Sequence, residues 1–140
     1  MQLRDYNLGR SILARLDYDS EILESITSIA EKLSIDIGAF TAIGALKSAQ
    51  LGYYDQDSHQ YRSIEIDHPV EIASLTGNIS IRDSRPFVHA HAVLADSAGK
   101  ATAGHLQKGR IFAAELYLQE LRGELLVRVH DPVTDLYLWD

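Results

Sequence analysis

One stretch of this 140-residue sequence shows the clearest helical spacing of apolar residues, and this limits the fold more than any other feature. In Glu21–Leu33 the apolar side chains recur every three or four positions, which predicts an amphipathic helix with one apolar stripe. Ser20 is the expected N-cap, and Glu21 and Glu24 would lie in the first turn, where the helix dipole favours acidic groups. The rest of the core must therefore come from strands.

Apolar runs bounded by Gly, Pro, Asp and Asn predict these strands. They are expected at Ser11–Asp17, Gly38–Leu46, Ser48–Asp55, Tyr61–Asp67, Val70–Ile81, Phe87–Leu94, Ala101–Leu106, Arg110–Leu121, Leu125–Val129 and Leu136–Trp139. Arg110–Leu121 is compatible with a helix as well, and its aromatic content and its neighbours favour the strand. Gly77 and Asn78 suggest a bulge within their strand. One helix and this many strands predict the α+β class with a mostly antiparallel sheet. The length, without repeats or linkers, predicts a single domain over residues 1–140.

The charge balance is unfavourable for direct DNA binding. Asp and Glu number 20 against 13 Lys and Arg, and the formal net charge is −7. Affinity for DNA comes largely from clustered basic side chains that release counterions, and here the basic residues are scattered. Direct binding would require an assembly that gathers Arg10, Arg15, Lys47, Arg62 and Arg110 into one surface.

The sequence also restricts location and cysteine chemistry. It contains no cysteine, which excludes disulfides, zinc–thiolate sites and cysteine nucleophiles. The first residues show no basic segment followed by an apolar one, and no apolar run approaches about 18 residues. We therefore expect a cytoplasmic protein that does not enter the membrane.

Three histidines form the strongest candidate site. Side chains alternate across a strand, so His89 and His91 would point to the same face, about 6.5–7 Å apart. His105 lies on the predicted return strand of a hairpin whose turn is Asp96–Lys100. It joins the other two only if the register places it opposite His89 or His91 rather than Ala90, because a slip of one residue reverses its direction.

Two interpretations of these histidines remain open on spacing alone. They are either surface residues or ligands of one metal ion; three neutral imidazoles suit Zn²⁺ and, less selectively, Ni²⁺, Fe²⁺ or Mn²⁺. An open fourth position would also permit catalysis by a metal-bound water. Glu115, inside an apolar strand, either orients a ligand histidine or is a charge that faces outward or is paired at an interface. We expect His59, His68 and His130 to be structural or exposed to solvent.

Several segments resemble the PPC (plant and prokaryote conserved) domain family. Glu71–Ile79 resembles its EI-x-SL-x-GN core. Pro86–His91, followed by Gly104–Leu106, is similar to its PHxH…GGHL motif, and Ala42–Leu46 and Gly52–Asp55 match an earlier family segment. The resemblance covers nearly the whole chain.

This resemblance implies a PPC-like fold that assembles as a homotrimer. It also implies that His89, His91 and His105 hold a metal ion, most simply zinc. Plant relatives contact DNA through fused AT-hooks, whereas no Arg-Gly-Arg-Pro segment occurs here. The family therefore predicts a trimeric, metal-binding protein that binds DNA or associates with DNA through partner proteins. The alternative is a metal-dependent small-molecule binder or enzyme. Ala103 stands where the family often has glycine.

Overall fold

The computed structural model describes residues 2–140, and in this range it has one helix and eight strands. In chain order the elements are β1 (Asn7–Leu16), α1 (Ile22–Leu33), β2 (Gly38–Asp55), β3 (Gln60–Ile66), β4 (Val70–Arg82), β5 (Arg85–Ala95), β6 (Ala101–Arg122), β7 (Arg128–Asp131) and β8 (Leu136–Trp139). The pairs between these strands are all antiparallel. The prediction of a mostly antiparallel sheet with one main helix is confirmed.

The two longest strands organise the sheet. Its six strands follow the order β1-β6-β5-β4-β2-β3, and β6 also pairs with β2. The β2–β6 pairing runs from Gly38 opposite Glu120 to Gly52 opposite His105. The β4–β5 hairpin pairs with β2 on one side and with β6 on the other, so these four strands form a closed circuit. Strands β7 and β8 form a separate ribbon, and β7 contacts β4.

The N-cap of the helix lies one residue later than predicted. Glu21, rather than Ser20, is the N-cap, and its carboxylate accepts a hydrogen bond from the Glu24 N–H at 2.7 Å. The other carboxylate oxygen accepts from the Gly109 N–H at 2.9 Å, which ties the start of the helix to β6. Ser20 instead donates its hydroxyl to the Asp17 carbonyl. The helix packs against β5 and β6, and three of its apolar side chains are fully buried: Ile22, Ile26 and Ala30.

Some predicted strand boundaries and one predicted bulge were wrong. Strand β2 continues through Lys47, and β6 continues from the hairpin to Arg122, so each replaces two predicted strands. The long strands contain shifts in their pairing register. One shift in the β2–β4 pairing lies at Gly44, whose φ of 134° favours glycine. The irregularity in the β4–β5 pairing lies between Ile72 and Ser74, not at Gly77.

The core joins the helix to the circuit of strands. Its fully buried side chains include Leu46 and Leu51 on β2, Leu75 on β4, and Leu106 and Leu118 on β6. This packing fixes β5 and β6, the two strands that carry the three histidines. No helix in residues 2–140 has the length and apolar character needed to span a bilayer.

Candidate metal centre

The hairpin of β5 and β6 brings the three predicted histidines together. Its turn lies at Asp96–Lys100, where the Asp96 N–H donates to the Lys100 carbonyl at 3.0 Å. The register places His91 directly opposite His105. His89 lies two positions before His91 on β5 and shares its face, so the register on which the site depends is confirmed.

The geometry of the cluster fits one small cation. One candidate ligand nitrogen from each ring lies within 4.8 Å of the other two. The ring centroids are 5.2 Å apart for His89 and His91, 5.0 Å for His89 and His105, and 5.5 Å for His91 and His105. Some point therefore lies within about 2.8 Å of all three nitrogens. Zinc–nitrogen bonds are about 2.0–2.1 Å long, so inward shifts of less than about 1 Å would suffice.

Burial keeps two of the rings neutral at physiological pH. The pKa of His89 falls to about 4, first because the ring is desolvated and then because His105, Arg128 and His91 lie nearby. The pKa of His105 is also lowered, again mainly by burial. A neutral imidazole offers the nitrogen lone pair that a metal ion requires.

One nitrogen in the cluster needs a partner. Nδ1 of His105 is buried and has no hydrogen-bond partner among residues 2–140. A buried polar atom without a partner costs free energy, so such atoms are uncommon and often lie at functional sites. One ring of the cluster therefore has a buried nitrogen that no group in the described part of the chain satisfies.

Two glycines allow the strands to approach each other closely at the site. A Cβ at Gly77 would collide with the backbone carbonyl of His89 and with the Phe40 ring. A Cβ at Gly104 would lie 2.8 Å from the Gly52 carbonyl oxygen, so the backbones approach closely beside His105. Both glycines therefore help to set where β5 and β6 place their histidines.

A buried arginine that no sequence pattern predicted contacts the cluster. Nη2 of Arg128, on β7, lies 3.4 Å from Nδ1 of His89 and donates to Oδ1 of Asn78 at 3.0 Å. Tyr61 was also missed; its ring centroid lies 5.2 Å from that of His105. No spacing pattern points to Arg128, because 38 residues separate it from His89 along the chain. The only available signal was Asn78, which belongs to the family-like segment.

The structure does not bring Glu115 to the histidines. Its side chain is exposed, ten positions beyond His105 on β6, and its residue is paired with Arg15 on β1. This placement matches the outward-facing alternative and gives no support to a role in orienting a ligand.

The other histidines also lie apart from the cluster. All three are exposed. His59 stacks on Tyr54, Nδ1 of His68 lies 3.2 Å from the Pro69 carbonyl oxygen, and Nε2 of His130 lies 2.7 Å from the Asp135 carboxylate.

The fold and site define a small, sheet-rich protein with three converging imidazoles. The family model described as the Plants and Prokaryotes Conserved (PCC) domain matches residues 3–122, so the chain belongs to this family, which is the PPC family that its motifs resemble. A search among curated proteins found no match.

Solved structures with the same fold cover almost the whole chain. The metal-containing protein from Archaeoglobus fulgidus is 39% identical, with a TM-score of 0.96 over 99% of each chain. A PPC protein from Pyrococcus horikoshii is 36% identical, with a TM-score of 0.95 over 100% of this chain and 97% of that one. A candidate DNA-binding protein from Bacteroides thetaiotaomicron, 24% identical, shares the fold with a TM-score of 0.87 over 96% of each chain.

Proposed function

We propose that this protein is a trimeric, metal-binding regulatory protein in which His89, His91 and His105 hold one divalent ion, most simply zinc. The observation that carries the proposal is the convergence of three candidate ligand nitrogens within 4.8 Å of one another. The orphaned Nδ1 of His105 and the metal-containing relative from Archaeoglobus fulgidus support it. A zinc ion bound in this way would keep a fourth position open and act there as a Lewis acid.

Removal of one ligand tests the metal site. His91 is the exposed member of the cluster, so His91→Ala should perturb the fold least. We expect purified wild-type protein to contain about one metal ion per chain, and His91→Ala to contain much less. His130→Ala is the matched control, because His130 is also exposed but contacts Asp135 instead. Equal metal content in wild-type and His91→Ala protein would defeat the proposal.

For DNA, association through partner proteins fits the structure better than direct binding. Four of the five basic residues that direct binding requires pair with carboxylates of the same chain: Arg10 with Glu120, Lys47 and Arg110 with Asp19, and Arg62 with Asp55. Such pairing reduces the positive charge available to phosphates. We expect weak or no binding of a random duplex at low salt. Tight binding that weakens steeply as salt rises would instead establish direct contact.

An exposed apolar face supports assembly. On the outer side of neighbouring strands, Leu13 of β1 lies opposite Tyr117 of β6, and Ile43 of β2 lies opposite Glu115 of β6. The exposed fractions of Leu13, Ile43 and Tyr117 are 83%, 59% and 42%. Contiguous exposed apolar surface commonly marks an interface.

The mass of the protein in solution tests the trimer. We expect light scattering to give three times the chain mass and Leu13→Asp to lower it. Leu125→Asp, at an exposed leucine outside these strands, is the control. A monomeric wild-type protein would contradict the assembly.

A metal-dependent small-molecule binder or enzyme is the second candidate. The exposure of His91 favours it, because a ligand could reach the open position from solvent. No carboxylate in residues 2–140 joins the cluster to serve as a general base. Activity screens with and without a chelator test this candidate, and a fourth protein ligand closing the site would count against it. The cytoplasmic location stays a prediction from the sequence.

A further inference from the structure

Arg128 is a buried cation whose hydrogen-bond acceptors are all neutral. Only 9% of the residue is exposed. Its Nε donates to the Ser80 hydroxyl at 2.8 Å, Nη1 to the Tyr137 carbonyl at 2.9 Å, and Nη2 to the Asn78 amide oxygen at 3.0 Å. Nη2 also lies 3.4 Å from Nδ1 of His89. Among residues 2–140, no carboxylate lies within ion-pair distance of this guanidinium.

This arrangement is unusual because a buried charge is normally paired with an opposite one. Arginine cannot avoid the cost by losing its proton. The aromatic faces of Phe87 and Trp139, with centroids 5.2 and 5.7 Å from the guanidinium carbon, compensate only in part. Burial lowers the pKa of Arg128, and the positive charge of nearby Arg82 lowers it further. The surroundings of Arg128 therefore lack a negative charge, although the chain as a whole is acidic.

The position of this unpaired charge points to the three-histidine cluster. Nη2 of Arg128 lies 3.4 Å from Nδ1 of His89, and His91, two positions further along the same strand, is the exposed ring of the cluster. Of the five N–H groups of Arg128, four have a neighbouring acceptor within residues 2–140. A group that reached the imidazoles from solvent at His91 would therefore also come near a fixed positive charge beside His89.

We infer that the three-histidine site takes a small free oxyanion together with its metal ion, and that Arg128 selects this anion by its charge. The inference rests on the proposed metal site. Neutral imidazoles leave a divalent cation uncompensated, and Arg128 adds a further positive charge, so an anion is the ligand that best offsets both. The burial of Arg128 favours a small free anion over a phosphate of a DNA backbone, which exposed arginines would contact more easily.

Cobalt(II) provides a probe that separates the metal site from the anion. The full chain is loaded with cobalt, whose visible spectrum reports its coordination, and is then titrated with acetate, inorganic phosphate or acetamide. We expect acetate or phosphate to change the spectrum in a saturable way, and the uncharged acetamide, which resembles acetate in shape, to have no effect. A random duplex is tested as a competitor.

Variants test the role of the arginine. Arg128→Gln should weaken anion binding about tenfold or more, because it removes a charge close to the metal, while Arg128→Lys should retain much of the affinity. Arg85→Gln is the control, since it removes an exposed charge from the histidine strand itself. If Arg128→Gln does not fold, Arg128→Lys is compared with Arg128→Met for the charge, and the comparison of acetate with acetamide on wild-type protein still decides whether the site takes an anion.

The outcomes separate the two proposals. No cobalt spectrum at all would defeat the metal site and this inference with it. A cobalt spectrum that responds equally to acetate and acetamide, or an Arg128→Gln protein that binds acetate as tightly as wild type, would overturn the anion alone. A response to the duplex but not to acetate or phosphate would also overturn it, because the anion would then belong to DNA.

Discussion

Acidification should destabilise the metal-free protein because His89 is kept neutral by burial. The pKa of His89 lies at about 4 in the folded protein, against an ordinary value of 6.5. Between these two pH values the unfolded chain binds a proton that the folded chain does not. The contribution of His89 to stability is therefore complete above pH 6.5, falls as the pH falls, and is lost below about pH 4.

The size of this effect follows from the pKa difference. The gap between 6.5 and about 4 corresponds to at most about 3.4 kcal/mol, of which about half is lost by pH 5. Because the ring is partly exposed, solvent screening should reduce these values by about half. We therefore expect His89 to account for a loss of roughly 1 kcal/mol in the free energy of unfolding between pH 7 and pH 5.

Urea unfolding in the presence of a chelator measures this loss. His89→Asn removes the titrating group, and His130→Asn, at an exposed histidine, is the control. The pH window avoids the carboxylate contributions. Hydrogen bonds to Arg10 lower the pKa of Glu120 to about 2, and those to Arg110 and Lys47 also lower the pKa of Asp19, so these contributions are lost mainly below about pH 4.5. If wild-type and His89→Asn proteins lose the same free energy between pH 7 and pH 5, the reasoning is refuted.

Three further predictions concern packing and ligand linkage. Gly77→Ala should cost about 1–3 kcal/mol of unfolding free energy and weaken metal binding, because the alanine Cβ would press on the His89 backbone and the Phe40 ring. Urea unfolding and metal titration check the two effects, and an unchanged urea midpoint would count against the packing. Leu118→Ala should cost about 2.7–5 kcal/mol in the same unfolding assay, since Leu118 is completely buried, and a loss below about 1 kcal/mol would show that it is not a core residue. Zinc at about 100 times its dissociation constant should stabilise the wild-type protein by about 2.7 kcal/mol in thermal or urea unfolding, and the same gain in His91→Ala would exclude the site as its cause.

Local sequence patterns predicted the elements that place the histidines. The apolar stripe of Glu21–Leu33 predicted the helix to within one residue, because its spacing is a local property of the sequence. The Asp96–Lys100 turn similarly predicted the hairpin, and alternation along β5 placed His89 and His91 on one face. These features depend on neighbouring residues, and for this reason sequence reasoning could find them.

Features that depend on distant residues were missed. Strand β2 continues through the charged Lys47 because β2 pairs with β6 on both sides of this residue, with shifts in register around it. No local sequence pattern predicts this pairing. Arg128 reaches His89 only because the ribbon of β7 and β8 packs beside β4. Glu115 was considered for the site because a carboxylate in an apolar strand is unusual, but its strand has one exposed face, and the side chain lies there.

Anomalous diffraction tests the central claim most directly. Crystals of protein purified without a chelator would be measured on both sides of the zinc absorption edge. Our account predicts one anomalous peak at bonding distance from a ring nitrogen of each of His89, His91 and His105. No peak at this place in metal-supplemented crystals, or a peak bonded to other residues, would contradict it.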